Sequence, residues 1–342
     1  MSYSFKNDYA EGAHPQILKT LLENNLSQQN GYGEDEFSLQ AKNLISQKLN
    51  ISARQIFFVS GGTQANLTVI AAFLRPHEGI ISAETSHIFN NEAFAIEATG
   101  HKIVTIKSID GKIKPNQIEE VLNLHQNRPH QGKFKLVYIS NATELGTVYT
   151  QQELVDLSEF CRKNDLYLFA DGARFSQALA SKNNNTSLEY WAELTDVFTI
   201  GGTKNGALLG EAIIINHPDF IEDFPFHIKQ RGAMLAKGRI LGLQFRELFR
   251  NDFFLKLATE ANGKALKIST AFKNRQFSFL IETESNQIFP ILKVEQIEKL
   301  SKNFEFYVWQ KVDAKHSAIR LITSWATTEE SIQRFITEIS EL

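Results

Sequence analysis

The sequence predicts an α/β protein with a mainly parallel sheet covered by helices on both faces, followed by a small α+β domain. Three observations lead to this prediction. Short, nearly continuous apolar runs alternate with amphipathic helical patterns from residue 55 to residue 201. After about Asp252 the order of strand-like and helical runs changes. A length of 342 residues approaches the upper limit for one hydrophobic core, which favours a large domain with a smaller one.

Six apolar runs are the predicted strands of the large domain. They are Gln55–Ser60, Gly79–Ala83, Ile103–Lys107, Leu136–Ser140, Leu166–Ala170 and Val197–Gly201. Helical patterns continue from the first run to about Phe73 and cover Gln152–Asn164. The polar stretches Leu124–Lys133 and Lys182–Asn185 are predicted surface loops. Because apolar strands separated by helices are typical of βαβ units, we expect a mainly parallel sheet in this part of the chain.

The C-terminal part has a different pattern. After a long helical stretch, the predicted strands are Phe277–Glu282, Ile288–Ile291, Phe304–Gln310 and Ala318–Thr323, with helices at Val294–Asn303 and Glu329–Glu341. This β-β-α-β-β-α order suits an antiparallel sheet. We therefore expect a large domain at residues 16–250 and a small one at residues 251–342, preceded by an N-terminal segment of residues 1–15.

Composition excludes several classes of function. The chain carries 36 Lys and Arg against 39 Asp and Glu, a net charge of −3, whereas nucleic-acid binders usually present a strongly basic face. No apolar run approaches the ~18 residues that a membrane span needs, and the first eight residues contain no apolar signal region. Cys161 is the only cysteine, so a disulfide within the chain and a cysteine metal cluster are excluded. We expect a cytoplasmic protein with no nucleic-acid, membrane or metal partner.

The loop after the first strand is a candidate phosphate site. Ligands of open α/β sheets bind at the carboxyl ends of the strands, and here Ser60-Gly61-Gly62-Thr63 opens a helix at such an end. Glycines allow close approach to the backbone, and free N–H groups at a helix N-terminus attract phosphate. The alternative is a glycine turn with Thr63 as the helix N-cap. The loop matches neither the dinucleotide fingerprint nor the nucleoside-triphosphate loop.

Charged residues follow two later strands. Asp171 and Arg174 come directly after Leu166–Ala170, where they form either a structural ion pair or a site in which Asp171 holds a protonated ring nitrogen and Arg174 binds a carboxylate. Lys204 follows Val197–Gly201 among small residues. Desolvation there would lower its pKa and make the amine nucleophilic, whereas an ordinary lysine would be a solvated surface charge.

These loops together predict a binding site for pyridoxal 5'-phosphate. The glycine loop would hold the phosphate, Asp171 would keep the ring nitrogen protonated, and Lys204 would form the Schiff base. His87 follows another strand and is placed to stack on the ring. A nucleotide-binding α/β protein is an alternative, although it leaves the acid and the lysine without a joint explanation.

The chain resembles the threonine aldolase and aromatic amino acid β-eliminating lyase family over nearly its whole length. The matching motifs are Asn30–Asp35, Ser60–Thr63, Ser86–Ala93 and, most specifically, Phe169–Arg174. The resemblance implies a PLP-dependent transferase-like (fold type I) fold. It further implies His87 over the cofactor ring, Asp171 on the pyridine nitrogen, Lys204 as the covalent attachment site, Gly61, Gly62 and Thr63 at the phosphate, and Arg174 beside the cofactor.

The resemblance also implies a substrate site. Arg174 and Arg320 would bind the carboxylate of an amino acid, with Asn7 of the N-terminal segment close by, so that this segment lies near the active site. Tyr32, in the motif Tyr32-Gly33-Glu34-Asp35, would contact the substrate. The family builds its sites at subunit interfaces, which implies a homodimer or homotetramer.

The expected reaction is Cα–Cβ cleavage of threonine, allo-threonine or phenylserine to glycine and an aldehyde. Thr143 stands where the family has a second histidine near the substrate hydroxyl, which leaves His87 or a water as the base for that hydroxyl. Four alternatives remain open. They are β-elimination from an aromatic or sulfur amino acid, transamination, racemisation, and a non-catalytic PLP-binding protein.

Overall fold

A seven-stranded mixed sheet forms the centre of the computed structural model, which describes residues 2–342. The first strand of the chain, β1 (Tyr3–Ser4), lies outside it. The central strands are β2 (Ile56–Val59), β3 (Glu78–Ala83), β4 (Ile103–Ile106), β5 (Lys133–Ser140), β6 (Tyr167–Asp171), β7 (Val197–Gly201) and β8 (Glu211–Ile215). Their spatial order is β2-β8-β7-β6-β5-β3-β4, and β8 is antiparallel to both neighbours while the other pairs are parallel. The predicted mainly parallel α/β sheet is confirmed.

Helices cover both faces of this sheet. They are α1 (Pro15–Glu23), α2 (Glu36–Leu49), α3 (Gly62–Phe73), α4 (His87–Asn90), α5 (Pro115–Leu124), α6 (Gln151–Lys163), α7 (Phe175–Leu179), α8 (Leu188–Leu194), α9 (Phe224–Gln230) and α10 (Arg239–Phe249). Successive residues of a strand point to opposite faces, and Leu136 and Val137 of β5 accordingly lie in two separate apolar clusters. None of the helices within residues 2–342 is long and apolar enough to cross a membrane.

A third apolar cluster lies in the C-terminal part of the chain. Its elements are α11 (Phe253–Asn274), β9 (Gln287–Ile288), β10 (Ile291–Lys293), α12 (Val294–Leu300), β11 (Phe304–Glu305), β12 (Tyr307–Lys311), β13 (His316–Ile322) and α13 (Glu329–Ser340). Strands β9, β10 and β12 all pair antiparallel with β13. The N-terminal strand β1 pairs parallel with β11, and Phe5 is buried against Phe304 and Phe335. The expected antiparallel sheet is present, whereas the domain boundaries at residues 15 and 250 stay a prediction.

Five details differ from the sequence-based expectation. Strands β1 and β8 were not predicted, and the predicted strand Phe304–Gln310 is divided into β11 and β12. The predicted strand Phe277–Glu282 is wrong, because this segment contributes a single bridge between Phe279 and Pro290. The predicted strand Ile288–Ile291 is divided into β9 and β10, since Pro290 has no N–H to donate to a sheet. Strand β5 begins at Lys133, inside a stretch predicted to be a loop.

Gly172 allows the loop after β6 to cross closely over β7. A Cβ at this position would lie 1.7 Å from the backbone oxygen of Thr199. We expect Gly172→Ala to lower the free energy of unfolding by about 3 kcal/mol, because backbone must move to admit the methyl group. The midpoint of urea unfolding measures the effect. The matched control is Gly263→Ala in α11, where a Cβ meets no atom within 4 Å. That variant should gain up to ~1 kcal/mol, and equal midpoints for the two variants would contradict the prediction.

Candidate active site

A cavity of about 350 Å³ lies at the carboxyl edge of the central sheet. The loops after β2, β3, β5, β6 and β7 converge there because these strands run in the same direction. The antiparallel β8 contributes its first residue, Glu211, which pairs with Val59 and Gly201 at the strand ends. The side chains and backbone that line the cavity include Ser60, Gly61, Gly62, Thr63, Asn66, His87, Glu144, Asp171, Arg174, Lys204 and Glu211.

Asp171, the last residue of β6, is held by three hydrogen bonds. Its Oδ2 accepts from Tyr138 Oη at 2.5 Å and from Asn66 Nδ2 at 2.9 Å, and its Oδ1 accepts from the Ala173 N–H at 2.8 Å. Burial alone would raise the pKa of Asp171, but these donors and the electrostatic interaction with His87 lower it below its usual range. The carboxylate is therefore fixed in position and negatively charged.

His87 is connected to Asp171 through a second buried carboxylate. Glu92 Oε1 lies 2.9 Å from His87 Nδ1 and accepts from Asn66 Nδ2 at 2.8 Å. The same Asn66 nitrogen also donates to Asp171, so that one amide group bridges both carboxylates. A carboxylate at Nδ1 favours the tautomer with the proton on that nitrogen, which leaves Nε2 as an acceptor.

The loop after β2 forms an open cradle at the start of α3. Gly61 is the residue before the helix, and no side chain within residues 2–342 caps it. The alternative in which Thr63 is the N-cap is therefore wrong. A Cβ at Gly61 or at Gly62 would meet no atom within 4 Å, so the space over these free N–H groups is open to a ligand. A twelve-residue helix beginning at such a cradle is suited to an anion such as phosphate.

Lys204 lies in the turn after β7, with its amine in the cavity. Burial and the positive charge of Arg174 lower its pKa, although Asp8, Asp171 and Glu211 act in the opposite direction. Burial and the negative charge of Asp171 raise the pKa of the neighbouring Glu211. Both shifts favour uncharged groups, and an uncharged amine is the form that attacks a carbonyl carbon.

Arg174 pairs with Asp8 rather than with Asp171. Its Nε and Nη2 donate to the two carboxylate oxygens of Asp8 at 2.8 and 3.1 Å, and Asn286 Nδ2 donates to Asp8 Oδ2 at 2.9 Å. The alternative in which Asp171 and Arg174 form a structural ion pair is therefore wrong. Asp8 fixes the orientation of the guanidinium, and Arg174 also lines the cavity. The N-terminal segment thus reaches the site through Asp8, which holds Arg174, and through Tyr9, which lines the cavity.

The other three predicted substrate residues lie outside the cavity lining of this chain. Arg320, on β13, stacks its guanidinium on Trp309 at 4.7 Å from the ring centre, and its buried Nε has no hydrogen-bond partner within residues 2–342. Burial and Arg174 lower the pKa of Arg320 to about 10. Asn7 accepts from the Tyr9 N–H, and Tyr32 is half exposed beneath Lys229. Their roles as substrate contacts stay predictions.

The loop after β5 presents Glu144, not Thr143, to the cavity. Thr143 is fully buried, and its hydroxyl is bonded to that of Thr147 at 2.7 Å. Glu144 Oε1 accepts from Ser140 Oγ at 2.7 Å and from the backbone N–H of His87 at 2.9 Å. Burial raises the pKa of Glu144, and these two hydrogen bonds only partly oppose the effect.

The residues present fit pyridoxal phosphate. The open cradle at Gly61 and Gly62 suits the phosphate, the fixed negative charge of Asp171 suits a protonated ring nitrogen, and the amine of Lys204 lies in the same cavity. His87 supplies a flat ring in the same lining. The predicted cofactor residues are therefore brought together in one place.

Sequence reasoning did not assign roles to several groups of this site. Glu92 and Glu144 were within reach of the rule that polar residues after strands form ligand sites, because they follow the predicted strands Gly79–Ala83 and Leu136–Ser140. Asp8 and Glu211 adjoin β1 and β8, two strands that the sequence did not predict. Tyr138 and Asn66 carried no such signal, since one lies inside an apolar strand and the other inside a helix.

Comparison with known proteins gives a consistent result. The model of the beta-eliminating lyase family matches residues 15–294. A low-specificity L-threonine aldolase of Pseudomonas aeruginosa is 30% identical over 339 residues, with coverage of 98% of this chain and 96% of that protein.

Solved structures agree with this match. A threonine aldolase of Leishmania major superposes with a TM-score of 0.96 at 41% identity, covering 99% of each chain. An aspartate aminotransferase of Thermus thermophilus superposes with a TM-score of 0.74 at 12% identity, covering 99% of this chain and 91% of that one, which shows a shared fold.

Proposed function

The chain belongs to the beta-eliminating lyase family and is a pyridoxal-phosphate-dependent lyase, and we propose that it cleaves the Cα–Cβ bond of a β-hydroxy-α-amino acid. The proposed substrates are threonine, allo-threonine or phenylserine, and the products are glycine and an aldehyde. The observation that carries this proposal is the convergence of Lys204, Asp171, His87 and Arg174 with the α3 cradle in one cavity. The relatives named as threonine aldolases support the choice of substrate.

Four parts of the chain would hold the cofactor. The N–H groups at Gly61 and Gly62 would bind its phosphate, Asp171 would hold the proton on its ring nitrogen, His87 would lie on the ring, and Lys204 Nζ would form the covalent bond. When bound, the cofactor supplies an electron sink that stabilises a negative charge at the substrate Cα. The hydrogen bonds from Tyr138 and Asn66 keep Asp171 ionised for this role.

Two arginines would orient the amino acid. Arg174 is fixed by Asp8, and the unpartnered Nε of Arg320 is a buried donor that an incoming carboxylate could satisfy. Binding the carboxylate at two points restricts rotation of the substrate, which selects the bond at Cα that is cleaved. A carboxylate clamp of this kind also argues against a non-catalytic cofactor carrier, which has no use for one.

The test is a product assay on the purified chain reconstituted with pyridoxal phosphate. We expect a yellow protein that releases glycine and an aldehyde from threonine or phenylserine. Pyruvate or ammonia from cysteine or tyrosine, without aldehyde from either β-hydroxy substrate, would replace the proposal with β-elimination. A protein that binds the cofactor and converts no amino acid would replace it with a carrier function.

Arg320→Ala is expected to raise KM for threonine with a smaller effect on kcat. The physical reason is that a carboxylate contact is present in the ground state and in the transition state alike. One charge-assisted hydrogen bond of about 1.5–3 kcal/mol corresponds to roughly a 10- to 150-fold increase in KM. Steady-state kinetics measure the effect, with Arg334→Ala, on the exposed side of α13, as the control. An unchanged KM would remove Arg320 from the substrate site.

Assembly and location are also part of this proposal. Exposed apolar side chains, among them Phe94, which is 73% exposed, and Leu208 in the loop after Lys204, support a homodimer or homotetramer. Light scattering on the purified protein tests the assembly. A cytoplasmic location is proposed from the amino acid substrate and the soluble cofactor.

A further inference from the structure

One buried carboxylate side chain in the cavity has no role in binding the cofactor or the carboxylate group of the substrate. Glu144 lines the cavity in the loop after β5. Its Oε1 accepts two hydrogen bonds, and no other residue within 2–342 donates to its Oε2. A buried carboxylate with one oxygen free is available to a ligand in the cavity. Resting on the proposed function, we infer that Glu144 is the catalytic base that removes the proton from the β-hydroxyl group of the substrate.

The local structure directs Glu144 to this position. Thr143 turns into the protein, where it bonds Thr147, and the next side chain of the loop is therefore presented to the cavity. Ser140 Oγ and the His87 N–H hold one carboxylate oxygen at fixed distances of 2.7 and 2.9 Å. This two-point attachment orients the second oxygen without adding a positive charge beside it. The raised pKa of the carboxyl group makes it a stronger base than a solvated glutamate.

His87 is less suited to this task. Its Nδ1 is committed to Glu92, and a ring that stacks on the cofactor directs its face, rather than the lone pair of Nε2, towards bound groups. Glu144 is attached to the backbone of His87 and not to its ring. The two residues therefore perform separate tasks on neighbouring parts of the cavity wall.

The proton transfer balances without a further reactant. The O–H bond of the β-hydroxyl breaks, and its proton passes to Glu144. The oxygen electron pair forms the carbonyl bond of the aldehyde, and the electrons of the Cα–Cβ bond remain on Cα. A proton returned to Cα gives glycine, and in the condensation direction Glu144 donates the proton to the aldehyde oxygen.

The test compares two reactions of the holoenzyme. Glycine α-hydrogen exchange with deuterated water needs the cofactor and the carboxylate clamp but no β-hydroxyl base. Cleavage of threonine needs the cofactor, the carboxylate clamp and a base for the β-hydroxyl group. In Glu144→Gln the amide oxygen can still accept from Ser140 and His87, so the wall of the cavity is preserved. We expect kcat for cleavage to fall by about 10²- to 10⁴-fold, while glycine exchange stays close to the wild-type rate.

Each other outcome overturns the inference in a recognisable way. Loss of both reactions together would mean that Glu144 acts only by positioning His87. Cleavage at the wild-type rate would exclude it as the base. A wild-type enzyme that exchanges glycine but cleaves no β-hydroxy amino acid would contradict the proposed function itself. Glu120→Gln, an exposed glutamate on α5, serves as the control and should leave both rates unchanged.

Discussion

Lys204→Ala is expected to abolish the covalent attachment of the cofactor and to lower kcat for threonine cleavage by about 10³- to 10⁶-fold, the scale seen when a covalent nucleophile is removed. The structure gives the physical reason. The amine lies in the cavity, burial and Arg174 lower its pKa, and the cradle and Asp171 lie in the same wall. Treatment of the wild-type protein with borohydride should fix the cofactor to the peptide that contains Lys204, and mass spectrometry measures this adduct.

The control for this variant is Lys256→Ala, an exposed lysine of α11 outside the cavity. It should keep both the adduct at Lys204 and the wild-type rate. Noncovalent cofactor binding is expected to persist in Lys204→Ala, because the cradle and Asp171 are unchanged. An adduct on a lysine other than Lys204, or normal turnover by Lys204→Ala, would contradict the assignment.

The parallel core of the fold was predictable because its strands are buried on both faces of the sheet. Such strands consist of nearly continuous apolar residues, which are visible in the sequence. Strands β6 and β7 accordingly lie within one residue of their predicted positions. Strand β8 was not predicted, although Ala212–Ile215 is an apolar run. Its antiparallel direction was not predictable, because an apolar run carries no information about strand direction. The segment Phe277–Glu282 has the composition of a strand but pairs at one residue only. Strand pairing depends on the neighbours that the fold supplies, and the composition of the segment does not reveal them.

Much of the site was predictable from strand ends. Asp171 and Lys204 follow apolar runs directly, and parallel pairing brings their loops to one edge. The partner of Arg174 could not be predicted, because Asp8 is separated from it by 166 residues and reaches it through the pairing of β1 with β11. The orientation of Glu144 depends on the inward turn of Thr143, which is a property of loop conformation.

Asp171→Asn should retain the cofactor and lower kcat by about 10²- to 10³-fold, the usual loss when one preorganised electrostatic contact is removed. An amide cannot carry the negative charge that holds a proton on the ring nitrogen. The substitution is nearly isosteric, so Tyr138 and Asn66 can still donate to the remaining oxygen. The amide nitrogen then faces the Ala173 N–H, which leaves a donor unsatisfied at a cost of about 1–3 kcal/mol in stability.

The measurement has to separate these two effects. Cofactor content and the borohydride adduct at Lys204 report whether the site is still assembled, and kcat reports whether the charge matters for the reaction. Asp156→Asn makes the same chemical change on the exposed face of α6. It should alter neither the cofactor content, nor the adduct at Lys204, nor kcat. Near-normal kcat in a fully loaded Asp171→Asn protein would show that the ring nitrogen needs no charged partner. A loss of kcat only in proportion to lost cofactor would make Asp171 a binding residue, because the charge would then act on affinity and not on the carbanion.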